Sequence, residues 1–248
     1  MDLFWMISAL VAGSVGSVAL AGLMLLLKDK KLEVVSTYLM YLAGGTLLGA
    51  AMLGMIPKAV IKLGPQPAMM TVLSGIMFFF VLEKVILWRS CHNKDCQRHQ
   101  HAAVPIILIG DAFHNAIDGI VIAASFLSSP ELGVFATVSV VLHEIPQELG
   151  DFGILIKSGM SKKRALLLNI LSGSTSLVTG IAAWFMLDTM RGFIPYALAF
   201  SASSFLYIAL ADLIPEMHRK TSIKDSILQF ALIITGIVLI YIILLSKH

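Results

Sequence analysis

The sequence predicts an all-α integral membrane protein, a bundle of eight transmembrane helices forming one polytopic domain over residues 1–248. Three observations predict it. The chain is 58% hydrophobic and only 13% charged, whereas a soluble domain carries about 25% charged residues and could not hide this much apolar surface in one core. The apolar residues gather into eight segments, at about 3–27, 36–56, 68–88, 103–127, 132–157, 164–187, 193–214 and 226–246. Each is near the ~20 residues that cross a hydrocarbon core. Lipid gives the backbone no hydrogen bonds, so such segments must be helices, and the short alternating segments of a barrel are absent.

The elements follow in chain order. Span 1 has no preceding basic region and no small-residue cleavage site, so it reads as a retained helix rather than a signal peptide. Lys28, Lys30 and Lys31 come after it. Span 2 closes on Ile56-Pro57-Lys58, and span 3 is followed by Lys84, Arg89, Lys94 and Arg98. Spans 4 and 5 form a central pair, followed by Lys157, Lys162, Lys163 and Arg164. Span 7 closes on Ile214-Pro215-Glu216 and precedes Arg219, Lys220 and Lys224. Fourteen of the 18 basic residues thus lie after odd-numbered spans, leaving Lys58, Lys62, Arg191 and Lys247 for the other side. The positive-inside rule then places both termini away from the cytoplasm. No eukaryotic targeting signal is visible, which favours the cell membrane of a prokaryote. The repeated Ile-Pro at the ends of spans 2 and 7 fits an inverted repeat of spans 1–3 and 6–8 around the pair 4–5. A net charge of +3 gives no reason to expect nucleic acid, and two cysteines in one short loop are no disulfide framework.

Spans 4 and 5 carry what lipid-facing helices exclude. They read Asp111-Ala-Phe-His114-Asn115-Ala-Ile-Asp118-Gly119 and His143-Glu144-Ile-Pro146-Gln147-Glu148-Leu-Gly150-Asp151. A central Asp costs roughly 2.5–3.5 kcal/mol on insertion scales, so seven ionisable groups on two helices need a solute pathway, a proton relay or a bound ion to explain them. Asp111, His114, Asn115 and Asp118 fall on one helical stripe, with His114 and Asp118 one turn apart. His143, Gln147 and Asp151 recur every four residues, and Glu144, Glu148 and Asp151 line an adjoining stripe. Pro146 cannot donate to the Leu142 carbonyl, so the helix is expected to bend or open there. Imidazole with carboxylate suits divalent transition metals: zinc first, then iron, manganese or cadmium. No organic cofactor is called for. Glu83 with Lys84 reads as a snorkelling pair near the surface, and Asp212 and Glu216 as an interfacial helix end or pathway groups.

These patterns resemble the fourth- and fifth-helix signatures of the ZIP (Zrt/Irt-like) divalent metal transporters. They come nearest to the subfamily whose fifth helix reads His-Glu-x-Pro-His-Glu-x-Gly-Asp. Leu47-Leu48-Gly49 and Asp212-Leu-Ile-Pro215-Glu216 match as well, so the resemblance runs through the whole chain. It implies a 3+2+3 inverted-repeat bundle with a binuclear metal site between helices 4 and 5. One ion would touch His114, Asp118, His143 and Gln147; the other would involve Asn115, Glu144 and Asp118. Asp111, Glu148 and Asp151 would be supporting or pathway groups. Transport would run toward the cytoplasm as one bundle slides or rocks against another.

Three features depart from the family pattern. Gln147 replaces a His or Glu with a neutral, weaker ligand. Ala50 and Gly54 stand where span 2 often has Asp and His, and 165–185 holds Ser172, Ser174, Thr175 and Ser176 but no acid. The polar loop at 89–102 adds Cys91, His92, Cys96, His99 and His101, a donor set able to bind zinc although its spacing is no recognised finger. Two other classes use similar residues. A membrane-embedded zinc hydrolase would want His-Glu-x-x-His, which Gln147 breaks. A metal-selective channel, or a sensor without flux, needs the same side chains as a carrier. The expected partners are the bilayer and the metal ion, with a homodimer left open.

Overall fold

A computed structural model describes residues 2–90, 99–219 and 222–245, and among them it is helical throughout, with no strand. In chain order the α-helices are α1 (Asp2–Val11), α2 (Ser17–Met24), α3 (Asp29–Gly49), α4 (Ile56–Leu63), α5 (Pro65–Ser90) and α6 (His99–Ser128). They continue with α7 (Pro130–Lys157), α8 (Lys162–Gly173), α9 (Thr175–Thr189), α10 (Ile194–Tyr207), α11 (Ile214–Met217) and α12 (Ile223–Leu245). Among the described residues, six stretches are long and apolar enough to cross a membrane: Leu3–Met24, Lys30–Leu63, Pro65–Val85, Lys162–Thr189, Arg191–Met217 and Ile223–Leu245. The helices α6 and α7, of 30 and 28 residues, are long enough but are not among the six; they hold the ionisable residues.

Three stretches are π-helical rather than α-helical: Ala12–Gly16, Ala50–Met55 and Ile208–Leu213. The Ile-Pro pairs therefore do not end their helices. At the close of the second and third stretches the Ile56 and Ile214 amides reach back five residues, to the carbonyls of Ala51 and Ala209. A proline follows each, Pro57 and Pro215, and the chain stays helical to Leu63 and Met217. A wide turn placed before a proline moves aside the carbonyl that the ring would otherwise strike. The run 162–189 is broken instead at Ser174, between α8 and α9. In contrast, α7 continues unbroken through Pro146, so the helix does not open there.

Packing is close because small residues line the contacts, as lipid-embedded helices require. A Cβ on Gly119 of α6 would sit 2.2 Å from the Ser176 carbonyl of α9, and one on Gly45 of α3 would sit 2.1 Å from the Ile233 carbonyl of α12. Hydroxyls fasten α6 further. Thr175 and Thr179 donate to the Ala112 and Ala116 carbonyls, both at 2.7 Å, and Ser172 donates to Leu108 at 3.2 Å. The main apolar core includes Val121, Ile122, Leu132, Phe135 and Val140, and a smaller one joins Val18, Ala21, Phe152, Leu155 and Ala165. Along α6 and α7 the polar residues 111–118 and 143–148 lie between these two cores.

Candidate metal centre

Adjacent packing of α6 and α7 brings their polar stripes face to face. His114 Nε2 lies 3.1 Å from His143 Nε2, 3.8 Å from Asp118 Oδ2 and 3.5 Å from Glu144 Oε1. His143 Nε2 lies 3.1 Å from Asp118 Oδ2 and 3.7 Å from Glu144 Oε1. A zinc ion ~2.1 Å from each of four tetrahedral donors would hold those donors roughly 3.4 Å apart. The observed separations bracket that value. Two neutral imidazoles and two carboxylates also match the charge of a divalent ion.

The tautomer of His143 follows from its surroundings. Its Nδ1 is 2.8 Å from the Ser139 carbonyl, which can only accept, so Nδ1 carries the proton and donates. In the neutral, metal-binding form of the ring Nε2 then carries the lone pair that faces the cluster, the arrangement in which an outer hydrogen bond orients a metal-binding imidazole. The contact from His143 Nε2 to Asp118 Oδ2 is then a meeting of two acceptors, which a cation between them resolves. The His143 ring is further held by the edge of Phe205, with centroids 6.1 Å apart.

A second group adjoins the first. One ligand oxygen each from Asp111, Glu144 and Glu148 lies within 4.8 Å of the others. Glu144 belongs to both groups and is fully buried, so its carboxylate stands between them. Asn115 donates to Asp111 Oδ1 at 2.9 Å and to the Asp111 carbonyl at 3.2 Å, fixing that acid in place. Ser172 and Gln147 sit beside Asp111, and Asn169 of α8 flanks Glu148 without hydrogen-bond geometry. Among the described residues, Asp111 Oδ2 and both carboxylate oxygens of Asp118, Glu144 and Glu148 are buried without a hydrogen-bond donor. Each orphaned buried acceptor costs about 1–3 kcal/mol, more when charged. Seven converging on two points is the electrostatic form of a cation site.

A cavity of about 510 Å³ opens on this cluster. His114, His143, Pro146 and Gln147 line it, together with Glu83, Tyr207 and Glu216 toward the helix ends followed by basic loops. His114 is the exposed member of the first group at 21%, against 1% for Asp118 and His143. Any ion reaching the cluster from the cavity meets His114 first.

The structure therefore unites His114, Asp118 and His143 as the sequence suggests, with Glu144 as their fourth donor, while Gln147 lines the cavity beside Asp111. Asp151 is half-buried on α7, and Glu216 is exposed and paired with Arg219 at 3.0 Å. Cys91, His92 and Cys96 lie outside the described residues, as do the side chains of His99, His101 and Asp212. Asn169, fully buried next to Glu148, escaped the sequence reading.

Fold and site together define a multi-pass helical membrane protein with a buried histidine–carboxylate cluster suited to a divalent metal ion. Residues 89–244 match the family described as ZIP zinc transporter, and the chain belongs to that family. It is similar to zinc transporter zipt-7.2 of Caenorhabditis elegans, 36% identical over 55% of this chain and 30% of that protein. Human zinc transporter SLC39A7 is 35% identical over the same shares. Zinc transporter foi of Drosophila melanogaster is 40% identical over 53% of this chain and 18% of its own length. The chain thus spans less than a third of each of these relatives, all of them animal proteins.

Proposed function

We propose that this protein carries zinc across a cell membrane into the cytoplasm, binding it between α6 and α7. The observation that supports this most is the meeting of His114, Asp118, His143 and Glu144 Nε2 and carboxylate atoms at 3.1–3.8 Å, at the end of a cavity. We assign the second ion position to Asp111, Glu144 and Glu148, with Asn115 and Gln147 at its edge. Iron, manganese and cadmium are competing cargoes that the same donors accommodate. The names of the relatives, all zinc transporters, support zinc as the first choice. Four protein donors leave no open coordination position, which counts against a zinc hydrolase.

The reading extends to architecture: eight spans, with α6 and α7 as the fourth and fifth, shielded from lipid by two three-span repeats of opposite orientation. The paired irregularities support it. Spans 2 and 7 each carry a π-helical turn just before Ile-Pro, and spans 1 and 6 are each interrupted midway, at Ala12–Gly16 and at Ser174. Both termini then face away from the cytoplasm. The test is zinc uptake into proteoliposomes holding a trapped zinc-sensitive dye. Uptake that saturates with zinc and is competed by manganese or iron is expected; flux rising linearly with zinc indicates a channel, and tight zinc binding without flux indicates a sensor.

A further inference from the structure

The geometry points to Glu83, held by Tyr207, as a transient ligand for the divalent cation between the buried cluster and the cavity mouth. This rests on the transport reading above. Glu83 on α5 lines the same cavity as His114 and His143. It is not the surface pair with Lys84 that its position suggested. The Lys84 ammonium lies instead over the Phe80 ring, 5.6 Å from its centroid. Glu83 is half-buried, accepts a hydrogen bond from the Tyr207 hydroxyl at the end of α10, and among the described residues has no Lys, Arg or His nitrogen at ion-pair distance.

A carboxylate so placed is unusual. The walls around it are largely apolar, with Met40, Phe79, Leu82, Phe113 and Ile117 among them. A half-buried charge facing such walls needs a cation, and one phenol donor neutralises nothing. Glu216, also on the cavity, already has Arg219 at 3.0 Å. Among the described residues Glu83 is therefore the acid of this cavity without a cationic partner, placed to meet an ion leaving His114. Ser204 lies one turn before Tyr207 on α10 and lines the same cavity, adding a further oxygen. Oxygen donors bind zinc more weakly than the imidazole–carboxylate set, and a weaker site next to a tight one is what lets a bound ion leave. Phe79, one turn before Glu83, packs on Tyr207 with centroids 6.2 Å apart, so α5 and α10 hold the acid and its phenol in register.

Glu83→Gln keeps the shape and the hydrogen bond from Tyr207 but removes the charge. In proteoliposomes it should lower the maximal zinc uptake rate about tenfold, while zinc affinity of the solubilised protein stays within about twofold. Glu83→Asp should recover part of the rate, and Tyr207→Phe should lower it about threefold by loosening the acid. Wild-type rates in Glu83→Gln overturn the proposal. Loss of zinc binding together with flux in Glu83→Gln and Glu83→Asp also overturns it, by showing a purely structural role. A wild-type protein that carries no zinc removes the transport reading and this inference with it, an outcome distinct from failure of the Glu83 variants beside an active wild type.

Discussion

At the scale of single residues, Glu144 is the pivot. It completes the first donor set and reaches into the second, fully buried and without a hydrogen-bond donor among the described residues. Glu144→Gln should therefore lower zinc affinity at both positions, whereas Glu148→Gln should leave the tighter position within about threefold and abolish the second. Titration calorimetry on detergent-solubilised protein reads this as two ions per chain in the wild type and one in Glu148→Gln. Equal stoichiometry in the two proteins would remove the second position. The sequence disclosed His114 and Asp118 because they stand one turn apart on one helix. The family resemblance implied Gln147 beside His143 and put Glu144 at the other ion; spacing along one helix does not say which side chains of the neighbouring helix meet it. In the structure the clustered nitrogen and carboxylate atoms meet across two helices, where the Glu144 side chain, one residue from His143, reaches the same point. Asn169 was illegible for a similar reason, since its relevance depends on α8 standing beside Glu148.

At the scale of elements, α6 owes its position to contacts that leave no room. Gly119 sits against the Ser176 carbonyl and the Thr179 hydroxyl, and three hydroxyls from α8 and α9 bind its carbonyls. Gly119→Val should force α6 from α9 and destabilise the protein by about 1–3 kcal/mol, as overpacking does, seen as a lower thermal unfolding midpoint in detergent. Zinc protection of that midpoint should weaken too, because His114 and Asp118 ride on the same helix. An unchanged midpoint would show that the helices part without cost. The six candidate spans among the described residues were legible from hydropathy, since lipid forces helices wherever apolar residues run long enough. The wide turns before Pro57 and Pro215 were not. An Ile-Pro pair looks the same whether a helix stops there or adds a residue to its turn, and only the amide partners distinguish the two.

At the scale of the whole molecule, the account needs a fixed orientation and a continuous route. The proposed orientation, read from the charge asymmetry, would put Cys91 and Cys96, the two cysteines of the chain, on the cytoplasmic side. A membrane-impermeant maleimide should leave them unlabelled in sealed right-side-out vesicles and label them after permeabilisation; labelling in intact vesicles would invert the topology. The proposed inverted repeat rests on a match only two letters long in the residues, and the matched irregularities in backbone, which sequence similarity does not register, are its better support. The central claim is that zinc crosses through the His114, Asp118, His143 and Glu144 cluster. The most direct test is the initial rate of zinc uptake into proteoliposomes for wild type, His143→Ala and Asp118→Asn, each shown to be monodisperse. The account predicts saturable uptake in the wild type and a loss of about a hundredfold or more in both variants, as removal of a primary ligand entails. Uptake at the wild-type rate in either variant would contradict it.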